Sequence, residues 1–228
     1  SNSPLCRLQQ LQVTNSNTVV STIYSWIGPN GFSSTLKDFV VNNFNYADTG
    51  NYYLTATANN CTTKKSITVS LKEIPKIQLD SLPNVCINAP SFVMNAFEYS
   101  GIAGDDIFMV DTTPLASNIF NPANYTSGSH IVKYIFTASN GCEDSLKRPI
   151  TIYPLPQISI SAINTIMIGN FTKLNTTVVG NIKNILWQPN TNIFYDTLLS
   201  PIVKPLQNTM YQIDVTTSEG CKNNSSVL

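Results

Sequence analysis

The stretch Asp48-Thr49-Gly50-Asn51-Tyr52-Tyr53-Leu54-Thr55-Ala56-Thr57 reads as a tight turn feeding a β-strand. Its Asp-x-Gly-x-Tyr spacing is that of a tyrosine corner, in which the Tyr hydroxyl bonds back to backbone at the turn into a sandwich strand. From Tyr52 onward the run is short and rich in aromatic and β-branched residues, which suits a half-buried pleated surface. Upstream, Tyr24-Ser25-Trp26 alternates in the same way. It is expected to be the facing strand, with Trp26 filling the space between two sheets. A sugar-stacking role for Trp26 is the weaker reading, because the alternation points the ring inward.

The five cysteines show that this unit recurs. The intervals Cys6 to Cys61 and Cys86 to Cys142 are equal to within one position, and stepping back by nearly the same interval from Cys221 reaches Met167. The first members, Cys6, Cys86 and Met167, recur every ~80 residues, and the second members, Cys61, Cys142 and Cys221, keep that period to within one position. Two independent columns therefore share one period, the mark of a tandem repeat. Trp26 stands as far after Cys6 as Trp187 does after Met167, so Trp187 is expected to be the core aromatic of the third repeat. In the second repeat the equivalent count falls on Asp106, and Phe108 takes the core role instead. His130 to Phe136 and Tyr211 to Val215 repeat the strand pattern of Tyr52 to Thr57.

No stretch carries a sustained helical stripe with caps. The fold class is therefore all-β: three tandem sandwiches over residues 1–73, 74–154 and 155–228. The joints Glu73-Ile74-Pro75 and Tyr153-Pro154-Leu155-Pro156 are short and Pro-bearing, which implies an elongated, semi-rigid rod. Both ends cut through the repeating pattern, so the chain is expected to be an excerpt of a longer protein.

Composition narrows the function. Thirteen basic and thirteen acidic residues cancel, which gives no electrostatic footprint for nucleic acid or an anionic membrane. Charged residues amount to 11%, against roughly 25% in ordinary soluble domains, with Asn, Ser and Thr supplying the polar surface. No apolar run approaches the roughly 20 residues of a membrane-spanning helix, so direct membrane insertion is not expected. The single histidine, His130, sits in a strand pattern, and no nucleophile elbow, CxxC pair, His-x-x-x-His or phosphate-cradling glycine loop occurs. No catalytic residue, cofactor or metal is expected. The densest acidic patch, Asp105, Asp106 and Asp111, has oxygen ligands for Ca²⁺ but lacks EF-hand spacing, and a solvated loop is the preferred reading. Asn60, Asn124, Asn170, Asn175, Asn223 and Asn224 each begin an Asn-x-Ser/Thr triplet, and Asp80-Ser81-Leu82, Asp144-Ser145-Leu146 and Asp196-Thr197-Leu198 fit an Asp-Ser/Thr-apolar pattern; an Asn/Thr-rich chain produces both by chance.

The stretch Tyr24 to Phe32, with Ala47-Asp48-Thr49-Gly50-Asn51-Tyr52, resembles the Ig-like repeats of large Bacteroidota surface proteins. Phe120-Asn121-Pro122-Ala123, with Gly128-Ser129-His130 and Asn140-Gly141-Cys142, is similar to a second repeat type of the same proteins. Leu186-Trp187-Gln188-Pro189, with Ser200-Pro201 and Thr209 through Cys221, resembles their PKD-like repeats. The resemblance implies a non-catalytic stalk or adhesive array, as in gliding-motility adhesins and type IX secretion cargo. It implies an extracellular location, neighbouring repeats as the first partners, and surface glycans or other cell-surface components as further ones. A carbohydrate-binding module, or an accessory region of a secreted hydrolase, is the alternative.

An oxidising compartment favours disulfides. The expected pairing is Cys6–Cys61 and Cys86–Cys142, with Cys221 left as a thiol opposite Met167, either free and buried or bonded to another molecule. One objection stands against it. In a plain Ig topology the segment before the second strand and the turn between the last two strands lie at opposite ends of the sandwich, so the first cysteine must sit on a strand running towards that turn.

Overall fold

The computed structural model describes residues 1–161 and 165–228. Among the described residues every regular element is a strand apart from three single 3-10 turns at Pro29–Gly31, Tyr46–Asp48 and Pro122–Asn124. The chain forms two compact units. One comprises residues 1–78, 96–107 and 134–146; the other comprises 79–95, 108–133 and 147–228. Each therefore holds one of the expected end spans, 1–73 or 155–228, together with part of the expected middle span 74–154.

In the first unit, residues 1–71 form an immunoglobulin-like sandwich. One sheet runs in the order Ser33–Ser34, Ile23–Ile27, Gly50–Ala58, Cys61–Val69, all antiparallel. Facing it is the antiparallel pair Leu11–Val13 and Phe39–Val41. Period-2 alternation decides what is buried: in Ile23–Ile27 the inward residues are Tyr24 and Trp26, and Ile23, Ser25 and Ile27 face out. Trp26 meets Phe39 edge-on at 5.0 Å, and Phe39 stacks on Tyr52 at 5.7 Å, distances at which ring pairs add to simple area burial. The last two strands are joined by Asn59-Asn60, both at positive φ (50° and 63°), which is the geometry of a two-residue hairpin whose twist matches its strands.

The segment preceding this sandwich is tied to its last strand in parallel. Leu5 bridges Leu71, the Leu5 amide donates to the Ser70 carbonyl (3.3 Å), and the Lys72 amide donates to the Leu5 carbonyl (2.9 Å). The first cysteine of the repeat thus lies where the last strand leaves the sandwich.

In the second unit, residues 157–228 build a sandwich from the antiparallel sheet Ile182–Gln188, Tyr211–Thr217, Lys222–Val227. Opposite it lie the pair Gln157–Ile160 and Thr176–Val179, and the sheet Thr172–Lys173, Ile202–Val203, Ile193–Phe194. Tyr211–Thr217 buries every second residue, and Tyr211, Ile213 and Val215 pack against Trp187, Leu174 and Val203. The segment before Phe92 repeats the arrangement of the chain start: Val85–Cys86 pairs in parallel with Ile152–Tyr153, and the Thr151 amide donates to Asn84 Oδ1 (2.9 Å). The counterpart in the first unit is Ser3, whose hydroxyl accepts from the Ser70 amide at 3.0 Å over the same separation of 67 residues.

Candidate functional site

The residues that organise the chain are its cysteines, and their pairing differs from the expected one. Cys6 is bonded to Cys142 and Cys86 to Cys221, with Cα–Cα distances of 5.5 Å in both; Cys61 is the free, exposed thiol. The expected pairs Cys6–Cys61 and Cys86–Cys142, and the expected free Cys221, are thereby corrected. Geometry gives the reason. Cys6 sits beyond the end of the strand Cys61–Val69, beside Leu71 and Lys72, while Cys61 is that strand's first residue. The extended strand puts roughly 30 Å between the two places, and a disulfide needs Cα atoms within about 7 Å. The parallel tie of Leu5 to Leu71 is thus what prevents the within-repeat bridge. Cys6 and Cys86 each meet the hairpin tip one sequence period further on instead.

Both bridges are embedded in the same kind of polar junction. At the first, the Asn140 side chain accepts from the Cys142 amide through Oδ1 (2.9 Å) and donates through Nδ2 to the Glu73 carbonyl (2.7 Å). Lys72 Nζ donates to the Asn140 carbonyl at 2.6 Å. At the second, Asn223 Nδ2 donates to the Pro156 carbonyl (2.9 Å), and the Cys221 amide donates to Thr217 Oγ1 (3.2 Å). Each junction thus satisfies a linker carbonyl with an Asn side chain from the tip that receives the bridge. The sequence marks Glu73 and Pro156 as joint residues, and Asn140 and Asn223 lie within two residues of a cysteine, but nothing in it pairs them. At the receiving tips Cys142 and Cys221 are almost wholly buried (0% and 1% exposed), whereas Cys86 is partly exposed.

The aromatic residues singled out by sequence are all interior. Trp26, Tyr52, Phe108 and Trp187 are buried, and Trp187 Nε1 donates to the Leu198 carbonyl at 3.1 Å. The Tyr52 hydroxyl donates to the Asp48 carbonyl (2.9 Å), closing the corner; burial first, and the neighbouring Asp48 second, push its pKa up to about 12. The Asp48 carboxylate is itself buried and accepts from Asn30 Nδ2 and the Asn45 amide, both at 3.0 Å. Met167, at the first-cysteine position of the third repeat, is 76% exposed.

His130 belongs to a structural pair. Its Nδ1 lies 2.8 Å from Asp111 Oδ2 and its Nε2 lies 2.8 Å from the Thr126 carbonyl. Both partners are acceptors only, so both bonds form when both ring nitrogens carry protons. The bonds to Asp111 and Thr126 accordingly raise the His130 pKa, and the bond from His130 leads the causes that lower that of Asp111. Asp111 also accepts from the Ile131 amide (2.9 Å). Asp105 and Asp106 are exposed on the strand Gly104–Val110, and Asp106 is close enough to Tyr134 to contribute, after burial, to raising that hydroxyl to about 12. Among the described residues no group of three or more His, Cys, Asp or Glu side chains is placed to hold a metal ion. No helix among them is long and apolar enough to cross a membrane.

No protein-family profile and no curated protein matches the sequence. Among solved structures the chain is similar to the N-terminal eight Ig domains of Down Syndrome Cell Adhesion Molecule, at 14% identity over 99% of this chain with a TM-score of 0.44; it spans 34% of that chain. It is similar to an I-band fragment of titin (11% identity, 98% of this chain and 93% of that one, TM-score 0.38). It is also similar to the insect immune protein hemolin (11% identity, 98% and 71%, TM-score 0.40). At these scores no property of those proteins is carried over to this chain.

Proposed function

We propose that this chain is a non-catalytic structural and adhesive segment of a large bacterial surface or secreted protein, of the gliding-motility adhesin or type IX secretion cargo kind. It is built from three tandem Ig-like and PKD-like sandwiches over residues 1–73, 74–154 and 155–228. Its first partners are its own neighbouring repeats, and its outer surface meets glycans or other components of the surroundings.

The observation that carries this reading is the staggered pairing of the cysteines. Each bridge joins one sequence repeat to the next, Cys6 to Cys142 and Cys86 to Cys221. A bridge inside a module stabilises that module; a bridge between modules resists their separation under load. The Asn140–Glu73 and Asn223–Pro156 hydrogen bonds fasten the same two joints without covalent chemistry. Disulfides persist in oxidising surroundings, which suits a place outside the cytoplasm.

Labelling of intact, unpermeabilised cells of the source organism with an antibody against this chain is the test. Surface signal that is lost when the coding segment is deleted, together with loss of cell attachment, is the expected result. Signal that emerges only after lysis would refute the reading.

A further inference from the structure

Two of the three hairpin tips receive a bridge, and the third has the same equipment. Cys61, Cys142 and Cys221 each open the last strand of their repeat, or directly precede it, and they keep the common repeat period. Each follows a residue in the left-handed region: Asn60 at φ 63°, Gly141 at 84° and Gly220 at 89°. Two positions before the cysteine the first tip carries Asn59, as the second carries Asn140, the residue that holds a linker carbonyl and the Cys142 amide. The first tip is tighter by one position, pairing Ala58 with Cys61 where Ala138 pairs with Cys142. Beside Cys61 lies a groove of about 480 Å³ with a mixed lining, in which the amide and amine groups of Asn15, Asn17, Asn59 and Lys65 stand next to the apolar Val19 and Leu54.

We infer that the tip Ala58–Cys61 is the receiving half of a third junction, and that Cys61 is bonded to the first-column cysteine of a further repeat preceding this one in the natural polypeptide. Both observed bridges link a cysteine to another 136 or 135 residues further on. The partner of Cys61 therefore lies the same distance before it in the chain, on a segment tied in parallel to the last strand of its own repeat. The occupant is a preceding repeat and not a second copy, because in both bridges the donor cysteine comes from the start of a repeat, and the two such cysteines of this chain, Cys6 and Cys86, are already bonded. Met167 fills the corresponding donor position of the third repeat. The covalent series consequently stops there, and any junction beyond it relies on non-covalent contacts.

This inference rests on the repeat register and is independent of what the protein adheres to. The test is disulfide mapping of the natural full-length polypeptide, isolated without reductant, treated with N-ethylmaleimide, digested, and analysed by mass spectrometry. The expected result is a peptide containing Cys61 crosslinked to one whose cysteine lies upstream by the separation seen in the two observed bridges, with no maleimide on Cys61. A maleimide adduct on Cys61, a Cys61–Cys61 crosslink between two chains, or a natural chain without a cysteine at that place overturns it. Recovery of Cys6–Cys142 and Cys86–Cys221 in the same digest shows whether the staggered rule itself holds, so failure of this inference is separable from failure of the repeat assignment.

Discussion

The staggered bridges predict an unusual length under force. When tension is applied between the two ends of the fully unfolded chain, Cys6 and Cys142 act as one node and Cys86 and Cys221 as another. Three strands of polypeptide connect these nodes in parallel: Cys6 to Cys86, Cys86 to Cys142, and Cys142 to Cys221. The middle strand is the shortest and becomes taut first. At about 3.4 Å per extended residue, its ~56 residues limit the span between nodes to about 190 Å. With both bridges reduced, all of the ~215 residues from Cys6 to Cys221 extend, to about 730 Å. Bridges within repeats, Cys6–Cys61 and Cys86–Cys142, would leave ~104 residues free, or about 350 Å. Single-molecule force spectroscopy with handles at the two termini, in oxidising buffer and again after dithiothreitol, separates the three values well outside its resolution. A final oxidised contour at the within-repeat value, or one unchanged by reductant, refutes the staggered arrangement. Equilibrium stability does not discriminate between the pairings. In the chain-entropy treatment a loop of about 136 residues contributes about 5 kcal/mol and one of about 55 residues about 4 kcal/mol, a difference of only about 1 kcal/mol per bridge.

Three further outcomes follow from particular contacts. Tyr52→Phe removes the buried hydroxyl that donates to the Asp48 carbonyl and is expected to cost about 1 kcal/mol in a urea titration, whereas a loss below the error of measurement would dissociate the corner from stability. Gly28→Ala places a Cβ 2.6 Å from the Tyr52 ring, which the corner hydrogen bond and Phe39 hold in place; a loss of about 1–3 kcal/mol is expected, and an unchanged midpoint would show that the ring moves freely. The His130–Asp111 pair gives a pH window. The His130 pKa is raised, so its contribution is complete below the ordinary imidazole value of 6.5 and is lost as pH rises through the raised value. That of Asp111 is lowered, so its contribution is complete above the ordinary 3.8 and is lost as pH falls through the lowered value. The melting-temperature difference between the parent and His130→Asn is therefore expected to be flat between those values and to narrow on both sides; a difference constant from about pH 3 to pH 9 would show that the pair does not titrate with folding.

Much of the fold was legible because strand periodicity and turn chemistry are local. Tyr24 and Trp26 alternate with exposed neighbours, Asp48-x-Gly50-x-Tyr52 spells the corner, and the two cysteine columns report the repeat period without any knowledge of contacts. The inward direction of Trp26 follows from the same alternation, that of Tyr52 from the corner, and that of Trp187 and Phe108 from their count within the repeat. Cysteine connectivity is of another kind. A recurring interval says that two cysteines occupy fixed places in a module, but not that those places are near each other. That depends on the parallel tie of Leu5 to Leu71, and of Val85–Cys86 to Ile152–Tyr153, which carries the first cysteine to the exit of the last strand. The tip that meets it there belongs to the next repeat. By itself the sequence determined the strands, the core aromatics and the register of the five cysteines. Only the tertiary structure decided which sulfurs approach within bonding distance, because a disulfide responds to a separation of a few ångströms in space and not to a count along the chain.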